Sequence, residues 1–286
     1  MGKFLLKIKK NIRLIIQFAF LAVTNGYLKG FIGGKIYTGK LKMFCVPGLN
    51  CYSCPGALGS CPMGALQSTL GSRDYSFAFY VLGILMLFGA LGGRFICGFL
   101  CPFGLFQDLL YKIPFFRKMK NIPGNRFLKY LKYVILAVFV ILIPMFAVDM
   151  TGLGTPAFCK YICPSGTFMA GIPLAVLNES IRNAAGFLYT WKVAILVINI
   201  LLSVVFYRPF CKYICPLGAF YSLFNSVALF RYKVDENKCT ECGACQKKCP
   251  CDIPVMKKPN STDCIRCGKC INICPEEAID IVKLGK

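Results

Sequence analysis

The chain has 286 residues, 56% of them hydrophobic, and a formal net charge of +22 at pH 7. It contains 19 cysteines and no histidine. The missing histidine excludes haem with a histidine ligand, Rieske clusters and histidine-based zinc or copper sites, and we expect no haem. Thiolate-bound iron–sulfur chemistry is therefore the leading interpretation of the cysteines, since high cysteine content otherwise marks small secreted disulfide domains.

Four long apolar spans are predicted along the chain, at residues 14–34, 76–93, 133–148 and 189–207. Each approaches the roughly 20 residues that a helix needs to cross a bilayer. A basic segment without a small-residue cleavage site precedes the first span, so we interpret that span as uncleaved and not as a signal peptide. The sequence predicts a mainly α-helical, polytopic membrane domain over 1–230, with short half-helices besides the four long spans.

Lysine and arginine are unevenly distributed over the predicted loops. The first 13 residues contain five basic residues and no acidic one, and residues 94–132 contain eight basic and one acidic. By the positive-inside rule both segments lie in the cytoplasm, and residues 149–190, with two of each charge, lie outside. The 35–75 loop has four basic residues and fits less well. We expect a multi-pass protein of a prokaryotic cytoplasmic membrane, with both termini cytoplasmic, in contact with lipid and not with nucleic acid.

The C-terminal segment, 231–286, is polar and dense in cysteine, and it is predicted to be a separate cytoplasmic domain. It contains the pattern C-x2-C-x2-C-x3-C-P twice. Zinc ribbons also use C-x2-C pairs, but two identical four-cysteine runs favour iron–sulfur clusters. The cysteines of the two runs are Cys239, Cys242, Cys245 and Cys249, then Cys264, Cys267, Cys270 and Cys274. Cys251 belongs to neither run and is interpreted as a buried or free thiol.

A second motif, C-P-x-G, occurs four times in the membrane part. Copies 1 to 4 begin at Cys61, Cys101, Cys163 and Cys215. Copies 2, 3 and 4 have a further cysteine four residues earlier, whereas copy 1 follows Cys54, Cys51 and Cys45 at irregular distances. Proline directly after a ligand suits the first turn of a helix, whose N-terminus favours a negatively charged group. The motif therefore predicts thiolate ligands at the starts of short helices.

The predicted topology assigns the copies to two sides, in an alternation that suggests an inverted repeat. The inner side would supply Cys97, Cys101, Cys211 and Cys215, and the outer side Cys54, Cys61, Cys159 and Cys163. Each set is sufficient for one [4Fe–4S] cluster. Three alternatives stay open: the outer cysteines form disulfides, Cys45 pairs with Cys51, or Cys51 replaces one of the outer ligands.

Residues 231–283 resemble a bacterial-type two-[4Fe–4S] ferredoxin. This resemblance implies that the fourth cysteine of each run binds the cluster of the other run. One cluster would take Cys239, Cys242, Cys245 and Cys274, and the other Cys264, Cys267, Cys270 and Cys249. The resemblance also implies a small α+β fold for the domain.

The stretch RPFCKYICPLGAFYSLFN, at 208–225, together with this tail resembles the membrane-bound polyferredoxin family, over about residues 76–283. That family includes the quinol-oxidising ferredoxins of nitrate respiration and the electron-donating membrane protein of nitrous-oxide respiration. The resemblance implies electron transfer at the cytoplasmic membrane in anaerobic respiration, with quinol or a soluble carrier as one partner. The outer cysteines are additional to the two inner C-x3-C-P motifs of that family, and no flavin-attachment motif is visible.

Four [4Fe–4S] clusters distributed over both sides favour a transmembrane electron conduit. Its donor would be a cytoplasmic ferredoxin or flavoprotein and its acceptor an external carrier or quinone, alone or within a larger redox complex. A quinol-reactive subunit and a redox sensor or assembly factor are the alternatives, so the choice between oxidoreductase and electron carrier stays open. We assign no catalytic residue, and we interpret Asp108, Asp149 and Glu179 as interfacial.

Overall fold

The computed structural model describes residues 10–72, 75–115, 118–122, 124–148 and 153–283. It is mainly helical, and a small two-stranded sheet lies at the C-terminal end. The helices of the first 223 residues are α1 Lys10–Thr24, α2 Leu28–Gly33, α3 Pro62–Ser72, α4 Tyr75–Gly92, α5 Phe95–Phe99, α6 Pro102–Lys112, α7 Asn125–Ile135, α8 Ile143–Phe146, α9 Pro164–Gly166, α10 Ile172–Leu177, α11 Glu179–Asn183, α12 Phe187–Val205, α13 Pro209–Tyr213 and α14 Pro216–Leu223. A 3₁₀ turn occupies Lys40–Met43, and π-helical turns occupy Leu136–Leu142, Phe158–Ile162 and Thr167–Gly171.

The prediction of four long spans is wrong in number. Among the described residues, two helical stretches are long and apolar enough to cross a membrane, Phe127–Phe146 and Phe187–Val205. The predicted span 14–34 is broken after α1, where the Tyr27 N–H leaves the helix and donates to the Gly56 carbonyl (3.1 Å). In α4, which has 18 residues, the apolar stretch among the residues with described side chains is Ala78–Gly92. Many apolar side chains of α1 and α4 are exposed, among them Val23, Phe79 and Leu87.

Each C-P-x-G copy begins a helix. The proline occupies the first position of α3, α6, α9 and α14. The cysteine before it has an extended backbone in copies 2, 3 and 4, as at an ordinary helix N-cap. Proline lacks the N–H that would be unpaired there and has the backbone angle that a helix requires. The motif thus places a thiol directly at a helix N-terminus.

The C-terminal part has two similar halves. Strand β1 Phe230–Val234 pairs antiparallel with β2 Ile279–Lys283, and the two helices are α15 Ala244–Lys248 and α16 Lys269–Ile273. A separate hydrophobic core lies between these elements. The α+β fold expected from the resemblance is consistent with this arrangement.

The C-terminal part packs against the membrane part over short distances. The Arg266 guanidinium donates to the carbonyls of Gly92 (2.9 Å) and Asn225 (2.7 Å). The Asn225 amide donates in turn to the Cys264 carbonyl (2.8 Å). At Gly98 an added Cβ would lie 2.4 Å from the Ile265 carbonyl oxygen, so only glycine permits this approach. The contact brings one ferredoxin-type motif beside copy 2.

Candidate metal centres

The ferredoxin-type cysteines line two cavities. One cavity is lined by Cys239, Cys242, Cys245 and Cys274, together with Pro275. A second is lined by Cys249, Cys264, Cys267 and Cys270, and also by Cys251, which belongs to neither run. Of the run cysteines, each cavity has three from one run and a fourth from the other run. This is the crosswise grouping that the resemblance implies, and we name the two groups the distal and the proximal ferredoxin set.

Both cysteine loops use left-handed backbone. Gly243 and Gly268, which precede α15 and α16, have φ of 70° and 75°, values that glycine adopts at little cost. Burial raises the pKa of the Cys264 and Cys270 thiols to about 12. Because iron binds the thiolate, loading this set must release protons.

The inner cysteines converge within the membrane part. Cys97, Cys101, Cys211 and Cys215 are each at most 6% exposed. Cys215 interacts electrostatically with the other three. The sulfur of Cys215 also accepts the Gly218 N–H (3.4 Å). The structure thus brings together the four residues predicted for the inner side, here named the inner set.

Two buried arginines connect the halves of the inner set. Arg94 donates to the Cys211 carbonyl (2.7 Å), and Arg208 donates to the Cys97 carbonyl (2.6 Å). Each arginine stands three residues before the first cysteine of its own copy and binds the other copy. Both side chains are at most 2% exposed. The contacts are therefore related by an approximate two-fold exchange of copies 2 and 4.

Both arginines form ion pairs with buried aspartates, Arg208 with Asp108 and Arg94 with Asp263 (3.7 Å). Asp108 accepts from Arg208 (2.5 and 2.8 Å) and from Arg13 (2.5 Å). Burial opposes its ionisation, but these two cations hold the pKa of Asp108 below its usual range. Asp108 is 8% exposed, so its interpretation as an interfacial residue is wrong. Glu179 is exposed and pairs with Arg182 (3.3 Å), and Asp149 lies outside the described residues.

The outer cysteines also converge, and Cys51 is among them. Cys159 interacts electrostatically with Cys163, Cys61 and Cys51. A Cβ added at Gly166 would lie 3.7 Å from the Cys51 sulfur and 3.9 Å from the Cys163 sulfur. Cys51, Cys61, Cys159 and Cys163 therefore surround one place, and we name them the outer set.

Cys54, the fourth outer ligand predicted from the sequence, is differently placed. Its sulfur accepts the backbone N–H groups of Gly56 and Ala57 and interacts with Lys42. Its side chain is 2% exposed. Within the described residues, the outer-set cysteine that interacts electrostatically with Cys54 is Cys51. Cys45 and Cys51 are free thiols and not a disulfide.

The C-P-x-G glycine donates a hydrogen bond to its own cysteine in two of the copies. In copies 3 and 4 the N–H groups of Gly166 and Gly218 donate to the sulfurs of Cys163 and Cys215 (3.4 Å each). At the start of α6, in copy 2, the Cys101 side chain accepts no such bond. A donor directed at the sulfur favours the thiolate over the thiol. In copies 3 and 4 the repeated phrase thus supplies a ligand and its hydrogen bond within four residues.

Sequence reasoning missed two buried glutamines at these sites. The Gln107 amide donates to the Cys211 sulfur (3.0 Å), and the Gln67 amide donates to the Cys159 sulfur (3.3 Å). Both side chains are fully buried. Each stands six residues after the cysteine of its C-P-x-G motif, in copies 1 and 2, and an alignment of the four copies would have revealed that shared spacing.

Tyr221 lies between the inner and outer sets. It interacts electrostatically with Cys97 and Cys101 of the inner set and with Cys61 of the outer set. Its side chain is fully buried, and its hydroxyl donates to the Pro47 carbonyl (2.9 Å). Tyr221 and buried cysteines of both sets belong to the same hydrophobic core.

The chemistry of the four sets fits [4Fe–4S] clusters. Each offers four cysteine sulfurs, the usual ligand set of such a cluster, and in each membrane set one sulfur accepts a C-P-x-G glycine N–H. In the part of the chain that the structure describes, no three Cys, His, Asp or Glu side chains are close enough to hold a single metal ion. That wider spacing is expected where each thiolate binds a different iron atom.

Comparison with known proteins identifies the same chemistry. A family model described as "4Fe-4S binding domain" matches residues 74–123, 136–174 and 189–234, and a second of that description matches 258–280. The first model therefore covers copies 2, 3 and 4, and the second covers one ferredoxin run. A search of solved structures finds no significant match.

The curated relatives match about two thirds of the length of this chain. Two uncharacterized proteins of Methanocaldococcus jannaschii are 30% and 31% identical over 185 residues, which is 62% of this chain and 59% and 67% of theirs. The methylamine utilization ferredoxin-type protein MauN of Methylorubrum extorquens is 27% identical over 191 residues, 66% of this chain and 59% of MauN. The chain thus spans about three fifths to two thirds of these relatives. With its 4Fe-4S domains and these relatives, the chain belongs to the membrane-bound polyferredoxin family of iron–sulfur electron-transfer proteins.

Proposed function

We propose that the chain conducts electrons across the cytoplasmic membrane through four [4Fe–4S] clusters, one in each cysteine set. The donor would be a cytoplasmic ferredoxin or flavoprotein at the distal ferredoxin set, and the acceptor would lie outside. When bound, the clusters supply the one-electron chemistry, while the protein supplies their position and surroundings. The outer cluster would use Cys51 in place of Cys54.

The observation that carries this proposal is the position of Tyr221 between two complete four-cysteine sets. A conduit needs neighbouring redox groups at short distances throughout. Tyr221 interacts with sulfurs of both membrane sets at once. Its burial excludes water from the gap, and its bond to Pro47 fixes the ring.

A second junction joins the proximal ferredoxin set to the inner set. Cys251 is fully enclosed at this junction and interacts with Cys249, Cys267 and Arg94. Arg94 in turn interacts with Cys97 and Cys211 of the inner set. The surplus cysteine of the sequence therefore lies between two ligand sets, and the four sets would form one row from the distal ferredoxin set to the outer set.

The order of the copies along the chain supports a transmembrane arrangement. Copy 2 precedes the helical stretch Phe127–Phe146, copy 3 lies between the two long stretches, and copy 4 follows Phe187–Val205. Two crossings would place copies 2 and 4 on one side and copy 3 on the other. Copy 1, whose cysteines meet those of copy 3, would reach that second side only if α1 and α4, which precede and follow it, also crossed the membrane. The basic 94–132 segment and the ferredoxin domain would then be cytoplasmic, with both termini.

The buried arginines would make the inner site suitable for a reduced cluster. An all-thiolate cluster is anionic, and each added electron increases that charge. Arg94 and Arg208 face the inner set from opposite halves at fixed positions. Their charges favour the reduced state. Asp108 and Asp263 pair with them but are shared with Arg13, Lys129 and Lys132, so positive charge remains in excess.

Transfer across a sealed bilayer tests the proposal. The purified, iron-loaded protein is reconstituted in liposomes with an impermeant acceptor inside and an impermeant reductant outside. We expect the enclosed acceptor to be reduced by the wild-type protein but not by the Cys211→Ser variant, which keeps both ferredoxin sets. No transfer by protein that holds all four clusters would contradict the proposal. Oxidation of the clusters by added quinone on one side alone would favour the quinol-reactive alternative.

A further inference from the structure

The two buried glutamines occupy equivalent positions in different sites. Gln67 follows Cys61 by six residues and donates to Cys159, the first cysteine of copy 3. Gln107 follows Cys101 by six residues and donates to Cys211, the first cysteine of copy 4. Each glutamine therefore reaches from its own copy to a sulfur of the paired copy.

The orientation of the Gln67 amide is fixed by its other contacts. Its oxygen accepts the Phe158 N–H (3.0 Å), so its nitrogen must face the other way. One N–H of that nitrogen donates to the Met63 carbonyl (3.0 Å), and the other is directed at the Cys159 sulfur. The side chain thus has one arrangement in which all its polar atoms are bonded.

The Gln107 amide has fewer hydrogen-bond partners than Gln67, and the negative charge of the neighbouring thiolate determines its orientation. Its nitrogen lies 3.0 Å from the Cys211 sulfur, while its buried oxygen has no partner among the described residues. Turning the amide over would place the oxygen lone pairs against a thiolate. Only the donor orientation stabilises an anionic sulfur.

In each pair of copies, 1 with 3 and 2 with 4, only one copy contains the glutamine. The residues at the corresponding positions of copies 3 and 4 are Met169 and Tyr221, and neither offers an amide. One sulfur of each membrane set therefore has an amide donor from the paired copy, in addition to the glycine N–H that one other sulfur of the set accepts. The approximate two-fold relation between copies is broken at this point in both sites.

We infer that Gln67 and Gln107 are positioning residues that set the reduction potentials of the outer and the inner cluster, respectively. This inference rests on the proposed presence of clusters at these two sites. A hydrogen bond to a ligand sulfur stabilises the more negative, reduced state more than the oxidised one, so the donor raises the potential. A hydrogen bond to a charged group is stronger than one to a neutral group, so the bond strengthens when the cluster gains an electron. The amides thus keep both clusters reducible in a buried site, where desolvation opposes added negative charge.

Redox titration monitored by electron paramagnetic resonance tests the inference on Gln67→Met, Gln107→Met and the wild type. Methionine preserves volume without a donor, and it stands naturally at this position in copy 3. We expect Gln67→Met to lower the potential of the outer cluster alone and Gln107→Met that of the inner cluster alone. The expected size is about tenfold in the reduction equilibrium, which is 59 mV for one electron. Each variant is thus the control of the other.

Iron content separates failure of this inference from failure of the proposed function. If the wild type holds only the ferredoxin clusters, the proposed function fails first. If all four clusters are present and neither variant shifts its own cluster, or each shifts both membrane clusters equally, the inference fails and the conduit stands. Gln67→Glu and Gln107→Glu keep the side-chain length and are titrated in parallel. Loss of the same cluster in both variants of one glutamine would show a role in assembly and overturn the inference for that site.

Discussion

The inner set lies between two buried arginines, whereas the outer set reaches the protein surface. Arg94 and Arg208 are at most 2% exposed, but Tyr52, which interacts with three outer cysteines, is 41% exposed. The cations near the outer set are Lys192, which interacts with Cys51 and Cys163, and Lys42, which interacts with Cys51. The same C-P-x-G phrase is used at both sites. The motif therefore determines how thiolates are presented, and the surroundings determine charge and access.

This difference suits the two sites to different tasks. A buried site with fixed charges passes electrons between neighbours without contact with water. A site at the surface can deliver them to another molecule, and Tyr52 and Tyr161 are exposed near its ligands. The predictions below test the difference, from the largest expected effect to the smallest.

Substitution of Cys51 or Cys54 shows which of these two cysteines is a ligand of the outer cluster. Cys51→Ser is expected to abolish the outer cluster and leave the other three, because its sulfur faces Cys163 and Gly166. Cys54→Ser, the matched control three residues away, is expected to retain all four. Iron content per chain and electron paramagnetic resonance measure both variants. Loss of the outer cluster in Cys54→Ser, with Cys51→Ser unaffected, would restore the ligand set predicted from the sequence.

Arg208→Met breaks the ion pair that is specific to the inner site. It leaves Asp108 buried with Arg13 as its remaining cation, and removal of one partner of a buried pair costs about 3–5 kcal/mol. We expect a marked loss of thermal stability in detergent. Arg182→Met removes the exposed pair with Glu179, whose side chains are 59% and 78% exposed, and should cost at most about 0.5 kcal/mol. Equal effects of the two substitutions would contradict the inner environment described here.

Gly98→Ala tests the junction between the ferredoxin domain and the inner set. The new Cβ would lie 2.4 Å from the Ile265 carbonyl oxygen, so the two parts must separate slightly. Overpacking of this kind costs about 1–3 kcal/mol, and we expect slower reduction of the inner cluster by the ferredoxin clusters in stopped-flow measurements. Gly83→Ala is the control, because a Cβ there meets nothing within 4 Å. Unchanged transfer in Gly98→Ala would argue against this route.

Lys192→Gln tests how much a partly exposed cation contributes to the reduction potential of the outer cluster. Lys192 is half-buried and near Cys51 and Cys163, so its removal should lower the outer potential. The effect should be below about 1 kcal/mol, less than about fivefold in the reduction equilibrium, as for other partly exposed charges. It should also decrease with added salt, because solvent ions screen exposed charges. A larger shift at the inner cluster than at the outer one would reverse the comparison.

Local spacing predicted much of the site, because the phrase that carries a ligand also carries its helix start and hydrogen bond. Cys215, Pro216 and Gly218 lie within one turn, so their roles follow from sequence alone. The choice between Cys51 and Cys54 as a ligand does not follow from the sequence, because the loop before Cys61 lacks regular geometry. The environment of Asp108 depends on Arg208, 100 residues away. Contacts at that separation leave no trace in a single sequence.

The number of spans was overestimated for a related reason. Residues 14–34 are mostly apolar but include Gln17, Thr24, Asn25 and Lys29. The chain leaves the helix after Thr24, and the Tyr27 N–H donates to the Gly56 carbonyl. That break involves a contact with the loop at 45–61, which the apolar composition of the run does not reveal.

Iron content per chain tests the central claim most directly. The fully loaded wild-type protein should contain about sixteen iron atoms, four for each of four Cys₄ clusters. Of these, about four should be lost in Cys211→Ser and about four in Cys163→Ser, each with the ferredoxin signals intact. A wild-type content of about eight, unchanged by either substitution, would confine the clusters to the ferredoxin domain and contradict the account.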